Sequence, residues 1–205
     1  MQTEKIAVNS AGYGLQQALD TVEKFAQDVG LDAKQASKIR LLCEETLNMV
    51  QSITMDFAAT FWLERISGGC RIHLQGETTM NYGKKQDLIG ISTGKKNSAS
   101  VGIMDKIRDI IEDSAYVFAD YGCSPMEPGV TTIISSMEKP TSYTWTMKKN
   151  RIDAEYAQAD GDPKLANALS ELEHSIVAKL ADEIQVAIKG NKVDITVEKL
   201  WNKKV

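Results

Sequence analysis

The chain reads as an α+β protein: a two-layer α/β sandwich with a small carboxy-terminal helix plus β-hairpin appendage. Three observations lead there. Apolar residues recur at helical spacing along Leu15–Val29 and again along Ile39–Ile53. Strand-forming residues then dominate two pairs of short runs, within Thr60–Glu77 and Val130–Lys148. A leucine seam followed by two alternating runs closes the chain, from Leu165 to Val197. A period near 3.6 builds one apolar stripe on a helix, and a period of 2 builds one apolar face on a strand, so the two kinds of segment must cover each other.

The elements follow in order. Lys5–Val8 is a short strand, and Leu15, Leu19, Val22, Ala26 and Val29 mark the first helix, stopped by Gly30. Asp32-Ala-Lys-Gln35 fits a capping box, in which the Asp side chain accepts from the amide three residues on and the Gln reaches back. The helix it opens has the strongest stripe: Ile39, Leu42, Cys43, Thr46, Leu47, Val50 and Ile53. Thr60–Ile66, the turn Ser67-Gly68-Gly69 and Cys70–Glu77 form a hairpin, with Ile72 and Leu74 on one face and Arg71, His73 and Gln75 on the other. Residues Tyr82 to Ser100 are a long Gly-, Ser- and Lys-containing loop. A third helix spans about Ser98–Asp113 on Val101, Met104, Ile107, Ile110 and Ile111. Val130–Ser135 and Tyr143–Lys148 are strands, joined by a turn at Lys139–Ser142.

This assigns residues 1–150 to the sandwich, 151–163 to a polar linker and 164–205 to the appendage. In the appendage Asp162-Pro163 starts a helix with seam Leu165, Leu169, Leu172, Ile176 and Leu180. A Gly190-Asn191 turn pairs Ile188 with Val193 and Val186 with Ile195, placing Ile184, Val186, Ile188, Val193, Ile195 and Val197 on one face. A two-stranded hairpin leaves two open edges, which pairing with a second copy or docking on the sandwich would remedy; the polar linker favours the second copy, so a homodimer is expected.

Composition narrows the function. The 205 residues hold 24 Lys+Arg against 28 Asp+Glu, a net charge of -4, with 42% hydrophobic and 25% charged residues. That balance builds a globular core and argues against neutralising nucleic-acid phosphates, so no nucleic-acid partner is expected. No apolar run approaches the roughly 20 residues of a membrane helix. Met1–Lys5 leads into a mixed stretch, so neither a signal peptide nor a membrane partner is expected. Cys43, Cys70 and Cys123 are odd in number and in no CxxC spacing, which disfavours a disulfide framework or structural zinc and suits a cytoplasmic location. His73 and His174 are the only histidines, each placed on a polar face and expected to be solvated. Trp62 and Trp145 lie in strands and are expected in the core.

Two constellations bear chemistry. Glu44 and Asn48, four residues apart, share a face of the second helix, with Gln51 one turn on, and flank its apolar stripe. A carboxylate there polarises water, and an amide oxygen holds a cation; the alternative is a solvated helix edge. Glu44 and Glu45 are no glycosidase dyad, because adjacent helix residues point about 100° apart. The second constellation is Ser92-Thr93-Gly94-Lys95-Lys96-Asn97, where glycine admits backbone amides to a phosphate and Lys95 or Lys96 supplies a point charge. It lacks Walker A spacing, and a solvated loop is the other reading.

Leu41-Leu-Cys-Glu44-Glu-Thr-Leu-Asn48 resembles the N-box of the histidine-kinase-like ATPase superfamily, in its anti-sigma-factor serine kinase branch. Ser100-Val-Gly102-Ile-Met-Asp-Lys-Ile107 is similar to a reduced form of that family's second glycine box, where helix amides meet phosphate. The resemblance, which extends to the element order over about residues 5–150, implies a bacterial regulatory protein that binds ATP and Mg²⁺ and acts on or through a protein partner. By it Asn48 holds Mg²⁺, Glu44 orients a water or serine hydroxyl, and Thr93, Gly94, Lys95, Lys96, Asn97 and Gly102 line the phosphates beneath an ATP lid. The family's adenine-binding Asp-x-Gly-x-Gly is replaced by Gln75-Gly-Glu77-Thr-Thr-Met-Asn81, where Glu77 is the nearest acid. The implied activity is Mg²⁺-dependent kinase or slow ATPase; the alternative is a protein-interaction module on the same fold that has lost ATP.

Overall fold

Among the described residues seven antiparallel strands form one sheet, and helices cover one of its faces. The computed structural model describes residues 1–53, 56–79, 107–108, 111, 130–135, 139–160, 175–189 and 191–201. In chain order the elements are β1 (Ile6–Asn9), α1 (Leu15–Asp28), α2 (Ala33–Ser52), β2 (Asp56–Ile66), β3 (Gly69–Thr79), β4 (Val130–Ser135), β5 (Lys139–Thr146), α3 (Met147–Asp160), α4 (Ile176–Leu180), β6 (Glu183–Lys189) and β7 (Lys192–Leu200). The α+β class is as expected, and the sheet order is β1-β2-β3-β7-β6-β5-β4.

The first half follows its sequence closely. α1 buries Ala18, Thr21, Val22, Phe25 and Ala26. It ends in a Schellman arrangement: Gly30 takes φ 72°, its N–H donates to the Gln27 carbonyl, and the Leu31 N–H donates to the Ala26 carbonyl. Asp32 caps α2 by accepting from the Gln35 amide at 2.7 Å. The other half of the expected box does not form, because Gln35 Nε2 donates to the Trp201 carbonyl at 3.3 Å instead. β2 and β3 pair across the Ser67–Gly68 turn in the expected hairpin, Trp62 opposite His73. Their alternation buries Phe57, Phe61, Leu63, Ile72 and Leu74 beneath the helices and turns the polar residues away.

The carboxy-terminal region requires correction. Its internal register is as expected, with Ile188 opposite Val193, Val186 opposite Ile195 and Ile184 opposite Val197. The hairpin is not an appendage, however. β7 pairs with β3 along nine residues, Gly69–Glu77 against Lys192–Leu200, and β6 pairs with β5. Both edges are satisfied inside the chain's own sheet, which removes the reason given for a second copy. The linker is also overturned, since residues 147–160 are α3. So is a helix running unbroken to Leu180: Ser175 is extended, at φ -73° and ψ 122°, and caps α4 by accepting from the Ala178 amide. That start rotates the seam, burying Val177 and Ala178 and leaving Ile176 61% exposed. Residues 162–174, with Leu165, Leu169 and Leu172, lie outside the described residues, as does most of the expected third helix. Ile107 and Ile111, one turn apart, are helical and fully buried as that stripe requires.

The expected turn at Lys139–Ser142 is instead the start of β5. Pro140 is tolerated there because β6 meets only Tyr143–Thr146, and because the β4–β5 register shifts beside Pro140's partner, Ile134. At the opposite edge the chain before β1 also pairs with β2, through Thr3 N–H to the Leu63 carbonyl and Arg65 N–H to the Met1 carbonyl. Comparing that register with Ile6 opposite Phe61 leaves Glu4 and Lys5 facing the single residue Trp62. This is a β-bulge carrying two charges, a device that blunts an open edge.

Candidate functional site

α2 presents the Glu44–Asn48 pair on its outer side. Asn48 is nine residues beyond the fully buried Ile39, about half a turn away at ~100° per residue, so it opposes the core stripe rather than flanking it. It is exposed, and its amide makes no hydrogen bond with a described residue. Glu44 is partly exposed, and Arg40, one turn earlier, donates from Nε to Glu44 Oε1 at 2.8 Å. The Arg40 guanidinium also pairs with Glu23 of α1. One arginine thus bridges a carboxylate on each helix and orients Glu44.

Glu77 lies elsewhere. The strand period puts Gly76 on the buried face and Glu77 on the open one, where its carboxylate is 3.9 Å from Lys192. It therefore lies across the sheet from α2, and it cannot stand in for an adenine-binding acid on the helix side. The close packing is at Gly76, where an added Cβ would come 2.6 Å from Phe57 Cζ. Thr93, Gly94, Lys95, Lys96, Asn97 and Gly102 lie outside the described residues.

The turn between β1 and α1 carries glycines that the motif reading did not use. Asn9 Oδ1 accepts from the Tyr13 amide at 3.0 Å, and Gly12 and Gly14 take φ of 90° and 74°. Gly14 is irreplaceable on packing grounds, since a Cβ there would overlap the Ala7 carbonyl oxygen. Tyr13 between them is 67% exposed.

A polar cluster on the open face of the sheet is one that sequence reasoning missed. Trp62 is not in the core. It stacks on His73 with ring centroids 4.7 Å apart and planes 8° apart, on the open face of the sheet. Lys5, held forward by the β1 bulge, lies 4.5 Å above the same indole. His73 is not simply solvated, for its side chain is only 16% exposed. Its Nε2 meets Glu64 Oε2 at 3.1 Å, and its Nδ1 meets Thr196 Oγ1 at 3.5 Å. Ionised Glu64 can only accept, so in the neutral ring Nε2 carries the proton and the Nδ1 lone pair faces the Thr196 hydroxyl. The two-residue turn Ser67–Gly68 sets Trp62 opposite His73, whereas a turn that included Gly69 would set it opposite Leu74. Thr196 needs the β3–β7 pairing, which no local pattern encodes.

Cys43 and Cys70 are free thiols buried in the core. Burial pushes the Cys43 thiol well up, and burial raises Cys70 to about 12 despite the opposing charge of Lys199. Lys199 is Cys70's cross-strand partner and is itself paired with Asp182 at 3.0 Å. No group of three or more His, Cys, Asp or Glu among the described residues is placed to hold a metal, and no described helix is long and apolar enough to cross a membrane. No family model, curated protein or solved structure matches the chain.

Proposed function

We propose that this chain is an ATP-binding regulatory protein of the histidine-kinase-like ATPase type. The outer ridge of α2 meets Mg²⁺–triphosphate, and Mg²⁺-dependent phosphoryl transfer to a partner's serine, or slow hydrolysis, is the activity. The observation that carries this reading is the exposed Asn48 amide one helical turn from an oriented Glu44 carboxylate. Asn48 Oδ1 is available as a hard oxygen ligand for Mg²⁺. Glu44, its second oxygen not taken by Arg40 Nε, is placed to orient a water or hydroxyl. Catalysis of this kind is positioning and charge neutralisation rather than covalent chemistry.

A second reading stands beside it: an interaction module on a sandwich of this kind without ATP. Glu77's position on the open face favours it, because the helix side then lacks the acid proposed for adenine. A thermal melt with ATP and Mg²⁺ separates the two. Ligand at about 100 times its dissociation constant adds roughly 2.7 kcal/mol. A clear rise in Tm that needs Mg²⁺ and is lost in Asn48→Ala supports the nucleotide reading. The same variant without ligand should melt as the parent does, because Asn48 is exposed and alanine is a better helix former. A melt unmoved by ATP and Mg²⁺ at millimolar concentration sinks the ATP reading and leaves the interaction module.

A further inference from the structure

One transverse row of the open sheet face sets four functional groups side by side. The register places Trp62 opposite His73, His73 opposite Thr196, and Thr196 opposite Gln185. Side chains so paired on one face have Cβ atoms about 4.5–5.5 Å apart. Glu64 orients His73 through Nε2, and Nδ1 stands 3.5 Å from the Thr196 hydroxyl. A carboxylate, an imidazole and a hydroxyl in that sequence are the parts of an activated nucleophile, whose base-to-hydroxyl contact is commonly loose before substrate binds. Gln185, on the other side of Thr196, is exposed and carries an amide N–H₂. Such a side-chain donor stabilises charge developing on a carbonyl oxygen. Stacking on Trp62 holds the imidazole plane still.

We propose that this row is an acyl-transfer site, with Thr196 as nucleophile, His73 as general base, Gln185 as oxyanion donor and Glu64 as positioning residue. Charge selects the substrate class. Thr196 is flanked along β7 by Asp194 and Glu198, which disfavour an incoming phosphoryl dianion but tolerate a neutral activated ester or thioester. Both flanking carboxylates are turned onto β3, Asp194 to Gln75 at 2.9 Å and Glu198 to Arg71 at 3.0 Å, so neither blocks the hydroxyl. In the step, Thr196 Oγ attacks the acyl carbon while its proton passes to His73 Nδ1. The bond to the leaving alcohol or thiol then breaks, and that group takes the proton from Nδ1. The products are an acyl-threonine ester and the free alcohol or thiol, and water later releases the acid.

The test uses the full chain and p-nitrophenyl acetate, with the acetylated residue mapped by mass spectrometry. The expected result is one acetyl group on Thr196, removed by hydroxylamine as an oxygen ester must be. Thr196→Val should lose it and Thr196→Ser keep it, both with a parental melt. His73→Gln should label at least about a hundredfold more slowly, the low end of what a general base supplies. Glu64→Ala should slow labelling, and added formate should restore the rate, which a purely structural carboxylate would not allow. Acetylation confined to lysines, resistant to hydroxylamine and unchanged in Thr196→Val, overturns the proposal. So does a Thr196 ester whose rate is the same in His73→Gln.

Discussion

The two faces of the sheet use the same strands for opposite purposes. The covered face is continuous and apolar, from Ile6 and Val8 through Phe61, Leu74 and Ile195 to Val186 and Trp145, all nearly inaccessible. The open face is a mosaic of paired polar groups: Glu64 with His73, Arg71 with Glu198, Gln75 with Asp194. Apolar burial is worth about 25 cal/mol per Å². Exposed ion pairs contribute about 0–1 kcal/mol each. The covered face therefore holds the fold together. The open face can spend its residue choices on chemistry, because little stability depends on them.

Truncation measures that contrast directly. Phe61→Ala, at a fully buried ring under α1 and α2, should cost about 3–5 kcal/mol in urea denaturation. A loss below 1 kcal/mol would show that the covered face is not the main source of stability.

Alkaline pH sharpens the comparison from inside the covered face. Cys70 holds its proton up to about pH 12 in the folded chain, whereas an unfolded thiol releases it near pH 8.5. Between those values the folded state binds more protons, so stability falls as pH rises, by at most about 1.4 kcal/mol per pH unit for one such thiol. The urea midpoint should drop from pH 8 to pH 10, and drop less in Cys70→Ala when each protein is referred to its own value at pH 8. An equal drop in both would remove the thiol from the account.

The smallest effect belongs to the open face. Arg71→Ala loses a half-exposed pair with Glu198 and should change stability by no more than about 1 kcal/mol. A loss comparable to Phe61→Ala would break the contrast between the faces.

Legibility in the sequence followed the range of the interaction. The Asp32 cap, the Gly30 stop and the register of the 183–200 hairpin rest on neighbours in the chain and were readable, whereas the first hairpin was readable only as a hairpin, because its turn is Ser67–Gly68 and Gly69 already pairs with Ile66. α3 was missed because its hydrophobic pattern is weak, with Ile152 exposed and Met147 and Asn150 buried near its start. Ser175 was missed because one capping hydroxyl outweighed a leucine spacing that would carry the helix through it. For the candidate site, Glu44 and Asn48 could be found as a pair, and the same helical spacing sets Arg40 beside Glu44 and Asn48 opposite Ile39, but Arg40's contact with Glu23 of α1 emerges from packing.

Sequence alone determined the classes of most elements and the inward residues of the carboxy-terminal hairpin, because periodicity and turn chemistry act over a few residues. Tertiary structure decided where those pieces go. An alternating hairpin such as Glu183–Leu200 carries the same pattern whether it stands apart or lies inside a sheet, since edge N–H and C=O groups are identical for every residue that pairs there. Joining Gly69–Glu77 to Lys192–Leu200 turned the supposed appendage into the middle of the fold, and only that junction brought Thr196 to His73.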